Sequence, residues 1–148
     1  MEENPMKRII ALFFIVVIAT TSLFAFEFRA LGIETGEGLL VSANMEPVDK
    51  LDAYVRIGYT GGFNFSFGGQ YQIAEAKSGS VAIPVKPGLQ LNFNFFDGYF
   101  LFQLFGTCEF SFETGHFGAF IRPGIGLSAA KGYSAFAWTV ETGVRYMF

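Results

Sequence analysis

Four residues of alternating charge, Lys86, Glu109, Arg122 and Glu141, carry the most legible chemistry in this 148-residue chain. Each sits in a run where apolar and polar residues alternate, and short turn sequences separate the runs. Closing Lys131-Gly132 as a two-residue turn sets Ala130 opposite Tyr133, which puts Arg122 opposite Glu141. Closing Asp97-Gly98 in the same way puts Lys86 opposite Glu109, and closing Gly115-His116 puts Glu109 opposite Arg122. Three separate turns thus align the four charges as a ladder across four strands. Arg56, Asp52, Arg29 and Arg145 point to the same face in this reading. Ions taken out of water cost several kcal/mol each unless partners answer them. The ladder therefore reads first as a structural plug in a narrow interior. A path for ions or protons, and a catalytic carboxylate pair, are its alternatives.

Other chemistry is thin. His116 is the only histidine and falls in a turn. Ser111, Glu113 and His116 supply the residue types of a serine hydrolase, but crowding in a turn is not triad geometry. Gly61-Gly62 is a turn rather than a phosphate loop, because no helix follows it. No metal-ligand spacing and no cofactor motif stands out. The lone Cys108 cannot form an internal disulfide, and on an apolar face it reads as packing.

The elements that position these residues are strands. Period-two alternation dominates and no long amphipathic helix pattern appears. It predicts eight strands: Phe26–Glu34, Gly38–Met45, Lys50–Tyr59, Phe63–Ala74, Ser80–Phe96, Tyr99–Phe112, Phe117–Ala130 and Tyr133–Phe148. The turns between them include Glu46-Pro47 and Thr60-Gly61-Gly62. Phe63, Phe65 and Phe67 share one face of the fourth strand, with Asn64, Ser66 and Gly68 on the other. One face is thus crowded with aromatic residues and the other is small and polar. That is the inside-out pattern of a barrel with lipid outside. The alternation puts Leu31 and Leu40 on the inner face of the first two strands. Pro84, Pro87 and Pro123 each remove a ladder donor. The fifth strand is accordingly expected to start its regular course near Gly88 after an irregular lead-in, with a bulge near Pro123.

Composition agrees. The chain holds 20 Phe and 18 Gly, and its net charge of −3 argues against a nucleic-acid partner. Lys7 and Arg8, the apolar run Ile9–Ile18 and the small residues after it read as a secretory signal, cleaved after Ala25. Met6 is an alternative start, which makes residues 1–5 an upstream extension. Residues 26–148 then form one domain.

The chain closes on Val144, Tyr146 and Phe148, alternating to a final aromatic. This ending resembles the C-terminal assembly signal of outer-membrane β-barrels. With the leader, the strand count and the inner charges, it is similar to the small OmpA/OmpX-type barrels of diderm bacteria. The resemblance implies an all-β, closed antiparallel transmembrane barrel in the outer membrane. Its partners would be membrane lipid, periplasmic chaperones and the barrel-assembly machinery, with Tyr59, Tyr71, Trp138 and Tyr146 facing lipid. It also implies that both termini are periplasmic, so Thr60–Gly62, Asp97-Gly98 and Lys131-Gly132 face outward. These tight turns depart from the family's long external loops. The expected role is a non-enzymatic structural or envelope-integrity barrel. The alternatives are a narrow OmpW-like channel for small or hydrophobic solutes, a lipid-modifying barrel enzyme in which Ser111 or Ser128 reaches His116, and a soluble periplasmic β-protein.

Overall fold

The computed structural model describes residues 28–59, 61–79 and 81–148. The expected secretory leader and its expected cleavage site lie outside the described residues. Nine strands are present: β1 (Phe28–Thr35), β2 (Leu39–Val48), β3 (Leu51–Tyr59), β4 (Phe63–Tyr71), β5 (Ala74–Ser78), β6 (Val81–Phe96), β7 (Tyr99–Thr114), β8 (Phe117–Ala130) and β9 (Tyr133–Met147). All neighbours are antiparallel, and no helix occurs among the described residues.

The strands close into an eight-stranded barrel, because β4 and β5 occupy successive parts of one position. β9 pairs with β1, Gly32 opposing Arg145, and β4 pairs with β6, Ser66 opposing Asn92. Opposed residues can be followed from Gly32 through Ser42, Arg56, Ser66, Asn92, Gln103 and Ser128 to Ala135. That path reaches β9 ten residues from Arg145 (135 to 145), the residue that faces Gly32 directly. Such stagger requires strands tilted from the barrel axis.

Turn chemistry sets the register. Gly61, Gly79, Gly98, Gly115 and Gly132 have positive φ, each in a different turn. Ala130 opposes Tyr133, Phe96 opposes Tyr99 and Thr114 opposes Phe117.

The departures from simple alternation come at bulges, all near one end of the barrel. Between Phe28 and Ala30 the extra residue is Arg29, where β2 has none between Met45 and Asn44. This flips the phase of β1: Ala30, Gly32 and Glu34 face inward, and Leu31 faces outward. The inner-face expectation for Leu31 is thereby corrected, while Leu40 is buried inside. Glu46 and Pro47 do not end β2. They oppose the single residue Asp52 as a second bulge, and the turn falls at Asp49-Lys50.

The prolines also behave differently from expectation. β6 is continuous from Val81, and its first residues pair with β5, so no irregular lead-in exists. The irregularity lies on the opposite strand. Tyr71, Gln72 and Ile73 face only Lys86 and Pro87, and a bulge thus absorbs the donor that Pro87 lacks. Near Pro123 the expected bulge is absent. Pairing of β7 with β8 lapses over two residues on each strand, between Thr107–Gly124 and Phe110–Ile121, and resumes in the same register. A missing donor removes a bond without requiring an inserted residue.

Burial is inverted. Among the described residues, the buried hydrophobic side chains are Ala30, Leu40, Tyr54, Phe105 and Phe120. Twenty buried residues are polar or charged, among them Arg56, Lys86, Glu109, Arg122 and Glu141. Phe63, Leu89, Ile125, Phe136 and Trp138 stand exposed on the outside.

Candidate functional site

The interior is the candidate site, and alternation builds it. Asp52, Tyr54 and Arg56 alternate inward on β3, as do Phe120 and Arg122 on β8, and Glu141 and Arg145 on β9. Three guanidinium groups and two aromatic rings interleave across the barrel. Arg56 lies 5.5 Å from the Tyr54 ring centre, and Arg122 lies 4.3 Å from the same ring. Arg122 is also 4.7 Å from the Phe120 ring, and Arg145 is 3.9 Å from it. Cations are attracted to aromatic faces, most strongly where water is excluded.

Three carboxylates tie the stack together. Glu34 accepts from Arg56 Nη1 at 3.1 Å and from Arg122 Nη1 at 3.2 Å. Glu141 bridges the same two arginines, at 2.7 and 3.1 Å. Glu109 accepts from Arg122 Nη2 at 2.7 Å and from Arg145 Nη2 at 2.5 Å. Three positive and three negative groups balance one another. Each ion therefore regains, from neighbours, part of what it loses on leaving water.

Two glycines make room for the rings. A Cβ on Gly68 would lie 2.5 Å from Tyr54 Cζ, and one on Gly143 would lie 2.6 Å from Phe120 Cε1. Tyr54 Oη donates to Gln90 Oε1 at 2.8 Å.

Beyond the stack, towards the β1–β2 turn, amides fill the interior. Gln90 donates to Glu141 at 2.9 Å and to Asn92 at 3.0 Å. Asn92 and Asn94 donate to Gln103 Oε1 at 3.3 and 3.1 Å, and Asn64 donates to Asn94. Gln103 Nε2 donates to Ser128 at 3.0 Å and to Glu37 at 3.4 Å. Glu37 belongs to the β1–β2 turn, and its carboxyl titrates above the usual range. Partial burial raises it first; the Gln103 hydrogen bond opposes that shift and the charge of Glu141 adds to it.

At the other end, a second ion cluster lines the mouth. Lys86 Nζ reaches Asp52 at 2.6 Å and Glu113 at 3.8 Å. Arg29 reaches Glu46 at 2.5 Å, Asp52 at 3.3 Å and Glu113 at 3.5 Å.

Two rungs of the ladder pair as the turns suggest, Arg122 with Glu109 and Arg122 with Glu141, and the third changes partner. Lys86 opposes Glu109 along the backbone, yet its ammonium pairs with Asp52. Arg145 takes the free side of Glu109. The strand tilt explains this. Residues opposed across a ladder differ in height along the axis, so long side chains meet others level with them across the interior. Sequence reasoning missed Glu34, hidden by the Arg29 bulge, and Glu46 and Glu113 at the mouth. It also missed Tyr54 and Phe120, although both lie in the inward phase beside Arg56 and Arg122.

Other residues fall elsewhere. Tyr59, Tyr71, Trp138 and Tyr146 are exposed on the outside, as are Val144 and Phe148. Cys108 is half-exposed on the outer wall rather than buried. Ser111 is buried inside, whereas the exposed His116 ring stacks on outward Tyr146, its Nδ1 3.1 Å from the Met147 carbonyl. Ser128 bonds to Gln103 near the opposite end of the barrel. Neither Ser111 nor Ser128 hydrogen-bonds to the histidine. No group of three or more His, Cys, Asp or Glu is placed to hold a metal among the described residues. Compared with known proteins, the chain matches no family model, no curated protein and no solved structure.

Proposed function

We propose that this barrel spans the outer membrane of a diderm bacterium as a non-enzymatic structural protein whose interior is plugged. The inverted burial carries the reading. A water-soluble protein rarely leaves an apolar patch of more than a few hundred Å² exposed. Here aromatic and aliphatic side chains cover the outer wall of every long strand, while the charges point inward. A closed sheet also satisfies its backbone internally, as hydrocarbon demands.

The tyrosines give independent support. Of six in the chain, Tyr54 is buried and the other five are exposed. Those five all lie at strand ends: Tyr59 closes β3, Tyr71 closes β4, Tyr99 opens β7, Tyr133 opens β9, and Tyr146 is the penultimate residue of β9. Amphipathic rings at both rims suit the two membrane–water interfaces.

The plug reading rests on Arg122, fully buried and held by Glu34, Glu109 and Glu141 together. Rings and guanidinium groups occupy the middle of the bore, and Glu34, Glu109 and Glu141 balance the charge of the three arginines. Two assays test the proposal. Expressed with its own leader in a diderm host, the protein should fractionate with the outer membrane and begin after Ala25 by mass spectrometry. In planar bilayers it should pass no steady current. Recovery as a soluble periplasmic protein would refute the location. A stable, ion-selective conductance would favour the channel reading.

A further inference from the structure

One turn breaks the rule that the others keep. Five turns place glycine where φ is positive, but in the β2–β3 turn that residue is Lys50, with φ 65°. A side chain in this region costs about 1 kcal/mol or more. The Lys50 amide donates to Glu46 Oε1 at 3.2 Å, which helps to hold the strained turn. Strain kept where glycine would relieve it points to a use for the side chain.

Lys50 lines a pocket of about 270 Å³ at the barrel mouth, with Arg29, Lys86, Glu46, Asp49 and Asp52. Three cations face three anions. Arg29, Lys86, Glu46 and Asp52 are engaged with one another or with Glu113. Asp49 and Lys50 make no ion pair among the described residues, which leaves one free charge of each sign on adjacent positions.

A smaller inner cavity shares Arg29 and Asp52 and is lined also by Asn44 and Arg145. Asn44 is 3% exposed and Arg145 is 6% exposed. Asn44 Oδ1, an acceptor, and Arg145 Nε, a donor, have no hydrogen-bond partner among the described residues. Seven further buried side-chain atoms of the interior are unpartnered too, among them Glu34 Oε1 and both amide atoms of Gln70, but Asn44 and Arg145 are the ones that line the inner cavity.

We infer that this mouth pocket binds a small zwitterion, with an ammonium and an acidic group a few bonds apart. A lone anion would meet Glu46, Asp49 and Asp52, and a lone cation would meet Arg29, Lys50 and Lys86. A zwitterion sets its acid on Lys50 and its ammonium on Asp49 and leaves neither sign unanswered. The inference needs only the closed barrel, and it stands or falls apart from the membrane reading. The guest is either a free solute or the headgroup of a zwitterionic phospholipid.

NMR titration of the full barrel in maltoside micelles tests this, with glycine and O-phosphoethanolamine as probes and ethanolamine and inorganic phosphate as controls. The zwitterions should shift amides around Lys50, Asp52 and Lys86 saturably at millimolar concentration. Lys50→Gly should weaken that binding at least fivefold while raising the thermal midpoint, because it removes the ligand contact and the strain together. Asp49→Asn should weaken it without raising the midpoint. Nanodiscs of phosphatidylethanolamine, compared with phosphatidylglycerol, separate the sources: shifts without added probe assign the headgroup, and shifts with probe alone assign a free solute. The inference is overturned by the absence of saturable shifts with either source, by equal shifts from the single-charge controls, or by unchanged binding in Lys50→Gly.

Discussion

Glu109 is the residue on which the central stack most depends, since among the described residues it is the one carboxylate that pairs with both Arg145 and Arg122. Glu109→Gln leaves two buried guanidinium groups short of an anion, and removing one member of a buried pair costs about 3–5 kcal/mol. Urea unfolding should show a loss of that size, and a loss below about 1 kcal/mol would mean that the contacts carry little energy. Gly68 tests the packing side of the same stack. Gly68→Val drives a side chain into Tyr54 and should cost about 1–3 kcal/mol. It should also break the Tyr54–Gln90 hydrogen bond, read as a shift of the Gln90 side-chain amide; an unmoved amide would contradict this packing. At this scale the sequence was partly legible. The inward phase of Arg56, Arg122 and Glu141 follows from alternation alone. The partners of Lys86 do not, because a ladder fixes neighbours along the wall, while tilt decides who meets across the interior. Glu34 was illegible for a local reason: one inserted residue, Arg29, reverses the phase of everything after it in β1.

Among the elements, β5 stands apart. It pairs with β6 on one side, and no other described strand covers its second edge. All five of its residues are exposed. Its edge amides are open to water, so Ala74–Ser78 should exchange hydrogen at least about 100-fold faster than the inner pairs of β3 with β4. Exchange as slow as in β3 would show that something covers this edge. The alternation runs the fourth strand to Ala74 and begins the fifth at Ser80, which leaves Glu75–Ser78, nearly all of β5, in a loop. AEAKS alternates only alanine with charged residues, too small an apolar face to betray a strand, and only the longer β6 beside it gives it a partner. The barrel strands themselves were legible, because glycine turns punctuate them and each carries one apolar face. Proline was the misleading signal. Pro47, Pro87 and Pro123 sit within strands, since a bulge or a lapse of pairing accommodates a missing donor without ending the strand.

At the scale of the molecule, closure and inverted burial make one argument. In the proposed reading, the wall meets hydrocarbon outside, and the tyrosines at the strand ends would mark the limits of that apolar zone. Trp138 reports on it directly. It is the only tryptophan in the chain and stands 71% exposed on the outer wall of β9. The barrel should be refolded into vesicles whose acyl chains carry bromine, and the fluorescence of Trp138 recorded against unbrominated vesicles and against aqueous iodide. Contact with hydrocarbon should give blue-shifted emission, strong quenching by the brominated chains and little by iodide. Red-shifted emission that iodide quenches and brominated lipid does not would mean that the outer wall faces water, and would contradict the account.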